Sequence, residues 1–69
     1  MNRANEKAKI ACIDLRDSLV NVLRALQRVW QYPEVRSQID VVKYNQDADD
    51  FNNGNCPSYG LTRMPHFTG

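Results

Sequence analysis

Apolar residues recur at alternating steps of four and three between residues 8 and 29. They are Ala8, Cys12, Leu15, Leu19, Val22, Leu26 and Val29. This spacing keeps one stripe of a helix facing a neighbouring helix. The residues between them are mostly good helix formers, and no Gly or Pro precedes Pro33. The pattern predicts an all-α fold with a long N-terminal helix at about residues 4–31.

A second apolar stripe lies beside the first one, and it is formed by Ile13, Val20, Leu23 and Trp30. One partner helix cannot cover both stripes. The helix would also be about 42 Å long, whereas a compact monomer of this length has a diameter of about 28 Å. We therefore expect a symmetric homodimer with a four-helix core. An elongated monomer whose C-terminal segment covers the second stripe is the alternative.

The first stripe supplies the expected interface between copies. Its members are Cys12, Leu15, Leu19, Val22, Leu26 and Val29. Surplus apolar surface of this kind is typical of a protein that associates with another chain.

Pro33 ends or kinks the first helix, because proline has no N–H and disfavours the helical region for Tyr32. Pro at a first helical position, followed by an acidic residue, is typical of a helix start. Val35, Ile39 and Val42 follow at helical spacing. These features predict a second, shorter helix at about residues 33–45. The alternative is a short strand over residues 39–44, where β-branched residues are dense.

Turn-forming residues dominate after Asn45, so residues 46–69 are predicted to be largely irregular within a single small domain, residues 1–69. The last part, Ser58–Gly69, still carries several apolar anchors. They are Tyr59, Leu61, Met64 and Phe67. We expect this C-terminal strap, residues 58–69, to lie against a helix or a partner.

The charge balance and the lack of long apolar runs disfavour nucleic acid and membranes as partners. Nine Lys and Arg residues against eight Asp and Glu residues give a net charge of +1, so no excess field draws the chain to nucleic acid or to an anionic membrane. No apolar run approaches the roughly 20 residues that a bilayer requires, and the first residues lack the apolar stretch of a secretory signal. The sequence predicts a cytoplasmic protein.

The two cysteines, Cys12 and Cys56, could form one disulfide. Cys12 falls on the apolar face of the long helix, where a small buried thiol is ordinary. The pattern favours two free thiols and leaves the pairing open.

Arginine and aromatic side chains are the candidate binding residues. Arg16 is the one charged residue within the apolar arc of the helix. One interpretation is that its aliphatic chain packs on the helix while its guanidinium reaches water. The other is that the guanidinium makes a bidentate contact with a carboxylate or phosphate. Trp30 and Tyr32 lie beside the Pro33 kink, where they serve the core or form a binding hot spot. The full candidate set is Arg16, Arg24, Arg28, Trp30, Tyr32, Arg36, Tyr59 and Phe67.

Catalytic and metal-binding patterns are weak. Cys12, Cys56 and His66 lack the spacing of a structural zinc site. Asp47, Asp49 and Asp50 resemble the opening of a calcium loop, but Phe51 replaces its next ligand, so a solvated turn is favoured. His66 is near the chain end, where a general base is not held in reach of its target, and Cys56 has no evident base fixed beside it. We expect neither an enzyme nor a bound cofactor or metal.

The residues Asp14-Leu15, Leu19 and Arg24-Ala25 resemble one helix of the phage hairpin proteins that sequester cyclic nucleotides. That family has a preceding partner helix, which has no counterpart here. The sequence favours a small helical oligomer that binds and regulates or inhibits a larger protein. The alternative is an oligomer, of phage origin if the resemblance holds, in which Arg16, Arg24, Arg28 or Arg36 hold an anionic nucleotide between subunits.

Overall fold

A computed structural model describes residues 3–69 of the chain. Over this range the backbone forms helices and no strand, so the all-α prediction is confirmed. The elements are α1 (Arg3–Val29), α2 (Pro33–Arg36), α3 (Val41–Asn53) and a 3₁₀ helix (Cys56–Tyr59). The described chain measures 49 × 17 × 15 Å, and its long axis reflects the 27 residues of α1. At 1.5 Å per residue, that helix is about 40 Å long.

The predicted helix at 33–45 is wrong, because the structure divides it into α2 and α3. Helix α2 ends at Arg36, and Asp40 then begins α3 by accepting a hydrogen bond at 3.0 Å from the backbone N–H of Lys43. Aspartate is a favoured N-cap because its carboxylate satisfies an N–H that the first turn leaves without a partner. The strand alternative at 39–44 is also wrong.

Helix α3 continues to Asn53, through a segment predicted to be irregular. Tyr44, Ala48 and Phe51 follow one another at helical spacing, and all three are buried. Their burial stabilises the helix although the intervening residues are mostly Asp, Asn and Gln, because packing of one apolar face outweighs weak local preferences.

The core lies between α1, α3 and the C-terminal strap. Its buried members are Leu19, Leu26, Tyr44, Ala48, Phe51 and Met64. Val20, Leu23 and Trp30 of the second stripe pack partly buried against this core, whereas Ile13 stays exposed. A single chain therefore covers much of the second stripe.

Cys12 and Cys56 form a disulfide, which corrects the expectation of free thiols. The 3₁₀ helix lies against α1 and brings the two Cα atoms to 5.4 Å, although 44 positions separate them in sequence. Gly60, with φ of 86°, then turns the chain back, in a conformation that glycine adopts without steric cost. The sequence could not predict this pairing because it depends on the unpredicted length of α3.

Two asparagines of α3 hold the strap. The Asn45 side chain donates to the carbonyl of Phe67 and accepts from its N–H, and Asn52 binds both backbone groups of Met64 in the same way. Seven helical residues rise about 10.5 Å, and three extended residues span about 10 Å, so the two spacings match. The strap runs antiparallel to α3 as a result.

The Tyr44 hydroxyl adds a third contact, a hydrogen bond of 2.7 Å to the carbonyl of Pro65. Burial raises the pKa of the Tyr44 phenol above its ordinary value, because the charged form would lose its hydration. The neutral phenol is therefore the form that ties the strap to α3.

Replacing Asn52 with alanine should lower the free energy of unfolding by about 1–3 kcal/mol, because the backbone N–H and carbonyl of Met64 would lose their partners in a part-buried position. Urea denaturation of the purified protein measures this change. Asn53→Ala is the matched control, since Asn53 is exposed on the same helix. Equal stability of the two variants would contradict the role of Asn52.

Candidate functional site

The junction between α1 and α2 carries an aromatic and cationic cluster. The chain turns here through hydrogen bonds from the N–H of Trp30 to Leu26 and from the N–H of Tyr32 to Val29. Pro33 then begins α2, which places Arg36 back over the end of α1. The Arg36 guanidinium lies 4.8 Å from the Trp30 ring centroid, and its Nε donates to the Trp30 carbonyl at 2.6 Å. The Arg36 side chain is thus held in one position.

The strap completes this cluster from the other side. Phe67 meets Trp30 edge to face, with ring centroids 5.0 Å apart. Gly69 lies against the indole edge, where an added Cβ would come within 2.7 Å of Trp30 Nε1. Trp30 and Phe67 are partly buried, whereas Tyr32 is 49% exposed and Arg36 is exposed. We name Trp30, Tyr32, Arg36 and Phe67 the helix-junction cluster.

The other candidate binding residues lie elsewhere. Arg24 and Arg28 are exposed one turn apart on α1, and Arg16 lies about 12 Å from Arg24 along the helix axis. Arg16 is partly exposed, and its Nε is buried without a hydrogen-bond partner. Tyr59 is partly buried in the 3₁₀ helix. These arginines do not converge on one anion site within the described chain.

Three members of the predicted interface between copies have little exposed surface in the single chain. Cys12 is tied into the disulfide, and Leu19 and Leu26 are buried, at 4% and 0% exposure. The chain's own elements cover most of their apolar surface, and the interface itself stays a prediction. Leu15 is 45% exposed, and Val22 and Val29 are partly exposed.

A groove of about 270 Å³ opens between α1 and α3. Leu19, Val22, Ile39 and Tyr44 are its apolar lining residues, and Gln38, Asp40, Lys43 and Asp47 are its polar ones. Lys43 bridges to Asp47 at 3.0 Å, and this hydrogen bond and the carboxylate charge raise the pKa of the Lys43 ammonium. The sequence did not predict this groove, because its lining residues come together only through contacts between α1 and α3.

The groups considered for metal binding or catalysis do not form one site within the described residues. Asp47, Asp49 and Asp50 lie on α3, so both the calcium loop and the solvated turn are wrong for them. His66 Nε2 pairs with the Asp49 carboxylate, and both side chains are about half exposed. Within residues 3–69, no group of three or more His, Cys, Asp or Glu side chains could hold a metal ion.

Comparison with known proteins supplies no relative. No protein-family model, no curated protein and no solved structure matches this chain. The resemblance of residues 14–25 to the phage hairpin proteins therefore has no support from a family match. In the part of the chain that the structure describes, no helix has the length and apolar character that crossing a membrane requires.

Proposed function

We propose that the protein is a non-enzymatic helical homo-oligomer that binds a larger protein and regulates or inhibits it. The observation that carries this proposal is the helix-junction cluster, in which exposed Tyr32 adjoins Trp30 and the fixed Arg36. Tryptophan, tyrosine and arginine are the residues that most often dominate protein interfaces. Their grouping at one end of an elongated molecule provides a compact contact site.

Pre-organisation supports binding at this cluster. Arg36 is held by the hydrogen bond and the stacking contact on Trp30, and Trp30 is itself braced by Phe67. Fixing such a long side chain before association reduces the conformational entropy that binding would remove. The cluster also has an exposed cation above an aromatic face, which suits an acidic or aromatic side chain of a partner.

The disulfide bears on where the protein acts. Disulfides persist in oxidising compartments and are rare in the cytosol. The Cys12–Cys56 bond therefore favours an oxidising compartment over the cytoplasmic location that the composition suggested.

The partner can be trapped at Tyr32. A photo-crosslinking phenylalanine analogue at this position keeps an aromatic ring, and illumination in cells that express the chain should give one discrete adduct, heavier than two copies of the 8.0 kDa chain. Mass spectrometry then identifies the partner. Arg36→Ala in the same background should reduce the adduct several-fold, because it removes a central contact.

Val42 provides the control position, since it is 66% exposed on α3. The same analogue placed there should give no adduct of that mass. A yield at Tyr32 no higher than at Val42, or an adduct unaffected by Arg36→Ala, would count against the helix-junction cluster as the contact site.

A further inference from the structure

One side of α1 carries a stripe in which small and large side chains alternate and no residue is buried. Its members are Ala11, Leu15, Ser18, Val22, Ala25 and Val29. At about 100° per residue these positions fall within an arc of about 80°, and the centre of that arc is about 80° from the buried stripe of Cys12, Leu19 and Leu26. Helix α3 therefore packs on the buried stripe of α1, and the exposed stripe beside it leaves room for a further helix.

The stripe is complementary to itself when a second copy runs antiparallel. A two-fold axis at the level of residue 20 places large residues opposite small ones. The opposed pairs are Leu15 with the partner's Ala25, Val22 with the partner's Ser18, and Val29 with the partner's Ala11. Alternation of this kind lets two helices approach closely, and a two-fold interface uses the same patch on both chains.

The polar residues beside the stripe agree with the same register. Asp14 would lie beside Arg28 of the partner, and the two-fold axis repeats this pair. Asn21 would lie beside its own copy near the axis, where an amide can both donate and accept. A parallel two-fold dimer would instead place Asp14 and the partner's Arg28 on opposite sides of the interface, so this pair could not form.

The groove continues the same surface. Leu19 and Val22 line it, and both lie close to the level of the two-fold axis. Its opening is flanked by α1 and α3, so a helix packed on the stripe would cover it and remove Leu15 and Val22 from water. Burial of this surface would add the apolar contact that a chain of 69 residues can seldom provide alone.

We propose that a second copy of this chain docks on the stripe, antiparallel, and closes the groove to give a four-helix dimer. The inference rests on the oligomeric part of the proposed function and names the face and the register. The proposed interface differs from the one expected from the sequence, because it contains Ala11, Ser18 and Ala25 and leaves out Cys12, Leu19 and Leu26.

Sedimentation equilibrium of the purified, disulfide-bonded chain tests the proposal. The native protein should be a dimer, and Leu15→Glu should weaken dimerisation at least about 100-fold, because a carboxylate would be buried in the seam. Asp14→Arg should weaken dimerisation at least about fivefold, because the two-fold axis creates two pairs in which the new arginine faces the partner's Arg28. Asp14→Arg combined with Arg28→Asp should restore the native dissociation constant, since the pair is only reversed.

Asp17→Arg is the matched control, because Asp17 points about 120° away from the centre of the stripe, twice as far as Asp14, and makes the same change of charge. It should leave dimerisation unchanged, and circular dichroism should show that Leu15→Glu keeps the helical monomer. A strictly monomeric native chain, or a dimer that Leu15→Glu leaves intact, would overturn the proposal. Failure of the double charge reversal would overturn the register. A stable dimer without any adduct at Tyr32 would reject only the partner proposal.

Discussion

Replacing both Cys12 and Cys56 with alanine should lower the free energy of unfolding by about 4 kcal/mol. The bond closes a loop with a sequence separation of 44, and the chain-entropy model gives this magnitude for such a loop. A core of this size yields only about 3–5 kcal/mol by itself. The variant should therefore be largely unfolded at 37 °C, and urea denaturation followed by circular dichroism would measure the loss.

Reducing agent provides the internal control for this experiment. It should shift the denaturation midpoint of the native chain towards that of the double variant and leave the double variant itself unchanged. If mass spectrometry showed both thiols free while the midpoint stayed in place, the bond would have no part in stability.

Leu19→Asp should unfold the protein, with a loss of more than about 4 kcal/mol. Leu19 is 4% exposed and belongs to the same core cluster as Tyr44 and Phe51, so an aspartate there would bury a carboxyl group without a partner. Thermal unfolding by circular dichroism would detect the loss of helix.

Asp17→Ala is the control for Leu19→Asp, because Asp17 lies two positions before Leu19 on α1 and is exposed. Surface substitutions of this kind change stability by about 0.5 kcal/mol or less. Similar tolerance of both substitutions would mean that the buried face of α1 is assigned wrongly.

Local periodicity was sufficient for α1. Its apolar residues repeat over more than five turns without Gly or Pro, so the helix follows from neighbouring positions alone, although only Cys12, Leu19 and Leu26 of the predicted stripe are buried. Pro33 marked the junction correctly for the same reason, because its ring excludes a continuing helix. These features depend on short-range sterics and spacing.

Helix α3 shows why local reasoning was not sufficient elsewhere. Residues 46–53 have the composition of a turn, and only the contact of Ala48 and Phe51 with a distant helix makes them helical. The disulfide depends in turn on that helix, since α3 carries Cys56 back to Cys12. The length of α3 and the disulfide thus required contacts between residues far apart in the sequence, whereas the division between α2 and α3 depends on the local cap at Asp40.

The candidate site divides in the same way. Trp30, Tyr32 and Arg36 could be grouped from the sequence because they flank one proline, and in the structure the Arg36 guanidinium lies over Trp30. The groove could not be predicted, because Ile39 and Tyr44 face Leu19 and Val22 only after the chain has turned twice. The sequence therefore predicted only the part of the candidate site that lies at the junction between α1 and α2.

The strap determines the order in which the chain can assemble. Its hydrogen bonds join residues 12 to 22 positions apart, and Asn45 and Asn52 point the same way only once α3 is helical. The strap can therefore dock only after α3 has become helical, so the order of the C-terminal end depends on a helix that lies earlier in the sequence.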